Sequence, residues 1–145
     1  MITSLSEADK QMADLFRQAW EVNKGYMCDW PNQKSGEHAE DDIWARWNLD
    51  YVGGGQLTMA KKGQRKFTKQ GLIYINVFTP LGGGLAQARD ASEVAVFAYE
   101  GERTPGDVWF RNVRIESEGH GHGSGKNKSW WTTLVVANFT YDYLR

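Results

Sequence analysis

Cysteine is nearly absent from this chain: Cys28 stands alone in 145 residues, so no disulfide can form within it and packing must supply the stability. A lone thiol also fits a reducing compartment. Charge of one sign is equally lacking. Lys and Arg number 17 against 18 Asp and Glu, a formal net charge of −1. That removes the case for nucleic-acid binding by the domain as a whole, because phosphate neutralisation needs a basic excess. No apolar run approaches the roughly 20 residues of a membrane span. Met1 to Leu5 show neither the basic start nor the apolar stretch of a signal peptide. The expectation is a soluble protein made in the cytoplasm, with no membrane partner. What is present excludes disorder as the main state: 41% of residues are apolar, and seven are Trp. The length suits one domain, residues 1–145, with one core.

Periodicity then orders the chain. Ser4 with Glu7 reads as an N-cap and its capping-box partner. Ala8, Met12, Leu15, Phe16, Ala19 and Trp20 follow at helical spacing, to a stop near Val22 with Asn23 and Gly25. Tyr26 to Trp30 reads as a short extended piece, and Pro31 to Asp42 as a loop. From Ile43 the period becomes two: Ile43, Ala45, Trp47, Leu49 and Tyr51 alternate with Trp44, Arg46, Asn48 and Asp50, a strand that Gly53-Gly54-Gly55 is expected to break. A second strand is predicted over Gln70 to Thr79, stopped by Pro80. A helix over Leu85 to Tyr99 should bury Ala88, Ala91, Ala95 and Ala98 with Val94 and Phe97. Val108 to Glu116 alternates imperfectly, and a bulge near Asn112 would restore its phase. Ser117 to Ser129 reads as a glycine-rich loop, and Trp131 to Tyr143 as the last strand. The predicted fold is α+β: a mostly antiparallel four-stranded sheet, two helices packed on one face, and a protruding hairpin arm.

Little in this order points to chemistry. His120 and His122 sit in Gly119-His120-Gly121-His122-Gly123 beside Glu118. Two side chains on a glycine-rich loop chelate loosely, whereas a zinc site wants three or four fixed ligands, and Cys28 and His38 lie far off in sequence. The runs Gly53–Gly55 and Gly82–Gly84 match neither the dinucleotide fingerprint nor the Walker pattern. The second opens a helix, where an anion could bind, but it reads first as a strand-to-helix corner. No serine stands in a nucleophile elbow, and Asp41 with Asp42 forms a loop cluster rather than a pair set across a cleft. The chain is therefore not expected to be an enzyme. No catalytic, cofactor-binding or metal residue is assigned, and no cofactor is expected.

Interaction residues stand out more. Lys61, Lys62, Arg65, Lys66 and Lys69 contain no acid among them and read equally as a reaching arm or a solvated one. Glu37, Glu40, Asp41 and Asp42 offer their complement. In a ring of identical subunits the two clusters could meet across a heterologous interface. Trp44, Trp109 and Trp130 fall on the polar-alternating side of their strands, where they could anchor a protein interface or stack sugars and bases. Interface use is favoured, since no polar ring-binding set accompanies them. A glycan- or nucleic-acid-binding module built on the same tryptophans and basic arm is the alternative.

A set of segments carries a resemblance over nearly the whole chain. It comprises the N-terminal amphipathic helix, Trp47-Asn48-Leu49, and Gly63 to Phe67 as Gly-x-x-x-Phe. It continues with Gly71-Leu72-Ile73-Tyr74-Ile75-Asn76-Val77-Phe78-Thr79-Pro80 and its glycine corner, then the Ala-rich helix from Ala88 to Phe97 and the strand from Phe110 to Ile115. It closes with Trp131 through Val136-Ala137-Asn138-Phe139-Thr140-Tyr141. In that order the chain resembles the phage tail terminator-like family, small tail-completion proteins of long, non-contractile tails; the glycine-rich Gly119–Gly125 loop is no requirement of it. The resemblance implies a structural virion protein, assembled in the host cytoplasm and located at the head-proximal end of the tail. It implies a homo-oligomer, a hexameric ring that caps the tail tube protein, stops its polymerisation and presents a joining surface to the head-tail connector or head completion protein. DNA would pass through the lumen without specific binding.

Overall fold

The first helix is set by its cap. The Ser4 hydroxyl accepts from the Glu7 N–H at 3.1 Å, and the Glu7 carboxylate reaches back to accept from the Thr3 N–H at 2.9 Å, so two donors otherwise left over at the helix start are satisfied. Helix α1, Leu5–Arg17, then buries Ala8, Met12 and Phe16. It continues as a π-helical turn, Gln18–Val22, that buries Trp20. Phe16 and Trp20 stack at 5.4 Å, and the Trp20 indole N–H donates to the Met27 carbonyl at 2.7 Å. Gly25 ends the segment at a φ of 71°, which a glycine adopts without penalty.

The computed structural model describes residues 1–34, 37–39, 41–122 and 129–145. Its sheet has five strands rather than the four expected: β1 Met27–Asp29, β2 Trp44–Gln56, β3 Lys66–Pro80, β4 Trp109–His122 and β5 Ser129–Leu144, in the order β1-β2-β3-β5-β4. β1 runs parallel to β2 and every other pair is antiparallel. The additional strand lies within the segment read as a short extended piece; its three residues are too few to show a period. The sheet carries α1 and the second helix, α2 (Gly84–Tyr99), on one face, where both join the core built by Ala45, Trp47, Ile73, Ile75, Val77, Val135, Ala137 and Phe139. Among the described residues no helix is long and apolar enough to cross a membrane.

Three expectations need correction. Gly53, Gly54 and Gly55 do not end β2; they pair with Gln70, Lys69 and Thr68, after a bulge between Tyr51 and Gly53. At Gly54 the φ is 151° and a Cβ would collide with the Thr68 carbonyl, so the missing side chain lets the strands close on each other. The segment from Ser117 to Ser129 is not a loop throughout: β4 extends to His122 and β5 begins at Ser129, while residues 123–128 of the expected loop lie outside the described residues. Phe97 is exposed, and α2 buries Ser92 and Tyr99 beside Ala88, Ala91, Ala95 and Ala98. The buried stripe steps by three and four residues, and Phe97 falls off it. The bulge near Asn112 is present: the register shifts between Arg111 and Arg114, and Asn112 has a φ of 51°.

Two close contacts join the layers. The Trp47 indole N–H donates to the Tyr99 hydroxyl at 2.8 Å, and that hydroxyl donates to the Met12 carbonyl at 2.8 Å, so one chain of bonds links β2, α2 and α1. On the sheet itself the Phe139 ring lies against Gly71, its partner across the ladder, where a Cβ would meet both that ring and the Asp50 carbonyl.

Removing the Tyr99 hydroxyl would leave the buried Trp47 N–H without its partner. Tyr99→Phe is therefore expected to destabilise the fold by about 1–3 kcal/mol, read as a lower urea midpoint at unchanged slope. An unaltered midpoint would show that the bond contributes nothing. Burial raises the pKa of Tyr99. Burial, and then the hydrogen bond to Asp9, does the same for Tyr51. A phenol held above its unfolded value near 10 contributes fully below that pH and loses its contribution as pH rises past it. The thermal midpoint should accordingly begin to fall as pH rises through about 10 and keep falling above it, followed by calorimetry.

Candidate functional site

The basic segment does not form one arm. Lys61, Lys62 and Arg65 lie in the turn between β2 and β3, whereas Lys66 and Lys69 belong to β3 itself. Lys66 pairs with Asp142 of the same chain at 3.2 Å. Arg65 exchanges backbone hydrogen bonds with Arg145 at 2.9 and 3.3 Å, so Arg145 is tied beside this turn. Because β5 runs alongside β3 as far as the Lys66–Leu144 pair, the part of this segment beyond the strands is residues 57–65. Lys69 faces the helix side, in a small recess with Ile2, Leu5, Tyr141 and Tyr143.

The acidic residues lie at the other end of the sheet. Glu37 and Asp41 are exposed just before β2 begins, and the Asp42 carboxylate accepts from the Ala39 N–H at 3.2 Å; Glu40 lies outside the described residues. β2 advances about 3.3 Å per residue, so the acidic loop and the basic turn sit roughly 40 Å apart and cannot neutralise each other within one chain.

Two of the three tryptophans read as outward contact groups are buried. Trp44 and Trp130 are 0% exposed and, with Phe78, form a second cluster separate from the main core. The alternation placed them on the correct face, away from the helices. That face is covered at this end because the segment before β2 folds back over it. The His38 ring stacks on Trp44 at 3.9 Å, and Trp44 stacks on Phe78 at 4.0 Å. His38 Nε2 lies 3.0 Å from Asp29 Oδ1, and both residues are buried. Sequence reasoning missed this pair, since nothing in the spacing of Asp29 and His38 signals contact. The pair fixes the loop to β1.

Trp109 alone of the three is half exposed. The Arg103 guanidinium lies 3.7 Å from its ring centroid, a cation–π contact. Both border an open depression of about 560 Å³ that also holds Lys66, Arg111, Asp107 and Asp142. Positive and negative groups are mixed there, and Arg111 donates to the Thr140 hydroxyl at 3.3 Å.

The residues weighed for metal binding are not brought together. Among the described residues no group of three or more His, Cys, Asp and Glu is placed to hold an ion. His120 and His122 lie in β4, and their side chains lie outside what is described. The Gly82–Gly84 run turns the corner into α2 as expected, with φ of 86° at Gly82 and 85° at Gly84.

Comparison with known proteins reaches the fold and no further. No family model and no curated protein matches this chain. A solved chain that bears no functional name superposes with a TM-score of 0.53 at 16% identity, over 92% of this chain and 97% of the other. That likeness shows the mixed α+β architecture alone.

Cys28 is half-buried in β1. Burial, then the nearby Glu21 and Asp29 carboxylates, pushes its thiol up in pKa. The thiolate is the reactive form, so iodoacetamide at pH 8 should label the native chain at least about tenfold more slowly than the unfolded one. Equal rates would mean that the β1 edge is open.

Proposed function

We propose that this chain is a ring-forming structural subunit of the tail terminator type. It would cap the end of a tail tube, end its polymerisation and offer the head-side connector its opposite face. The observation that supports this reading best is the separation of charge along one sheet: Lys61, Lys62 and Arg65 at one end, Glu37, Asp41 and Asp42 at the other. Groups that attract but cannot meet within a chain are satisfied by a neighbour placed head to tail. Such a heterologous contact closes into a ring when the rotation per subunit divides a full turn. The full-length resemblance set out above supplies the ring, its six-fold count and its tube partner. The turn between β2 and β3 then takes the part of the protruding arm, shorter than the sequence predicts.

A structural role needs no cofactor, and DNA crossing the lumen must not be gripped. A net charge of −1 suits that demand, because phosphate binding grows with the number of cations that neutralise it. The rival reading, a glycan- or nucleic-acid-binding module, retains Trp109, which of its three tryptophans is the exposed one.

Imaging by negative stain, alone and with tail-tube subunits, tests the proposal. Six-fold rings at tube ends are expected, and reversing Lys61, Lys62 and Arg65 to Glu should reduce ring formation by about tenfold or more at low salt. A chain that stays monomeric and ignores tube ends, while its Trp fluorescence responds to an oligonucleotide or sugar panel, would replace this reading with the binding module.

A further inference from the structure

Charge is not all that separates the two ends of this sheet. At the turn between β2 and β3, Met59 is 96% exposed and Leu57 is 54% exposed. The turn is nevertheless tied at its base. The Leu57 N–H donates to the Lys66 carbonyl at 2.7 Å, the Lys66 N–H to the Thr58 hydroxyl at 2.8 Å, the Gln56 amide to the Thr58 carbonyl at 2.7 Å and the Gln64 N–H to the Lys61 carbonyl at 2.9 Å. Two apolar side chains are thus presented to water on a turn whose two arms are bonded to each other.

The opposite end of β3 carries the reverse shape. Pro80, Leu81, Gly82, Gly84, Leu85 and Trp131 line an open depression of about 450 Å³. Leu81 and Leu85 are exposed. Nothing lies within 4 Å of where a Cβ would stand on Gly82 or Gly84, so the floor is roomy. The exposed acids Glu37 and Asp41 belong to this same end, since β2 begins at the Trp44–Phe78 pair, two residues from Pro80.

We infer that the 57–65 turn of one copy seats Met59 and Leu57 in the Pro80–Leu85 depression of the next. Lys61, Lys62 and Arg65 then come against the neighbour's acidic loop. This rests on the ring reading and names its contact. Shape and charge agree in direction: the apolar knob is ringed by cations and the apolar hollow shares its end with carboxylates. Methionine, unbranched and flexible, suits a hollow floored by glycine. Knob and hollow stand roughly 45 Å apart along β3, so no chain can fill its own hollow. A two-fold dimer would fill both knobs and both hollows and stop at two copies, whereas head-to-tail contact leaves one free knob and one free hollow at the ends of the growing chain until the ring closes.

Cross-linking tests the contact directly. On a Cys28→Ala background, Met59→Cys and Leu85→Cys in one chain should give an oxidation ladder that ends at the ring size, with neither single variant laddering. Met59→Asp should weaken self-association by about tenfold or more, leaving the monomer's melting temperature unchanged because Met59 is almost wholly exposed, and Met59→Leu should restore assembly. Rings that form without a ladder, and survive Met59→Asp, would overturn the contact and leave the ring standing. A ladder from a chain that ignores tube ends would keep the contact and remove the terminator role. Leu85→Cys cross-linked to a tube subunit instead would give the hollow to the tube and overturn the inference. No ladder and no rings under any condition would remove both.

Discussion

Everything in this molecule is hung on β3, a fifteen-residue strand paired antiparallel on both sides over almost its full length. Such pairing fixes register strictly, because a slip by one residue would turn Ile73, Ile75 and Val77 out of the core and bring Leu72, Tyr74 and Asn76 in. Gly71 sits at the middle of this constraint. The Phe139 ring and the Asp50 carbonyl both crowd the place where its Cβ would stand, and only a residue without a side chain allows this. The helices are then positioned by what β3 and its neighbours present. The bond chain from Trp47 through Tyr99 to Met12 lets two polar side chains lie fully within an apolar layer with their groups satisfied.

The opposite face of the same sheet is treated differently along its length. At the β2 start it is closed by aromatic stacking, with His38 over Trp44 and Trp44 over Phe78. Toward the middle, Tyr74 and Leu134 are half-buried and Asn48 and Arg46 are exposed. The closure matters for function because it removes Trp44 and Trp130 as ligand platforms and makes them part of the scaffold. It also fixes the acidic loop at one end, since His38 is anchored to Asp29 on β1. A loop tied at its centre presents its flanking carboxylates at less entropic cost than a free one.

How much of this could be read in advance depended on the length of each period. The capped first helix, the alternation from Ile43 to Tyr51 and the strand from Trp131 to Tyr143 each repeat often enough to declare their faces, and the structure agrees with them. β1 has three residues and no period to read. Glycine misled twice, at Gly53–Gly55 and again at Gly119 and Gly121. A glycine marks either a turn or a tight approach between strands, and only the partner strand decides which. The burial of Trp44 was hidden for another reason. Alternation assigns a side chain to a face, but whether that face meets water depends on a loop elsewhere in the chain, here the one carrying His38. The basic cluster was legible as a cluster and not as a surface: Lys66 and Lys69 leave the turn for β3, on opposite faces.

Ring formation of this kind asks two opposed things of one surface. In the proposed ring the contact would have to be directional, or copies would pair two by two; it would also have to be weak enough between two copies that growth did not outrun the tube it was to cap. Charge and apolar shape answer these demands separately. Opposite charges at the two ends of the sheet act over about a Debye length and favour the encounter of unlike ends over like ones. A knob of two side chains adds short-range contact far smaller than the interface of a permanent dimer. Closure then contributes what a single contact lacks, because the last subunit engages two neighbours at once, and the second engagement is intramolecular. On the proposed reading, a chain with modest pairwise affinity and a fixed rotation would pass from monomer to complete ring with few intermediates, and a tube end that held several copies close together would set where that happens.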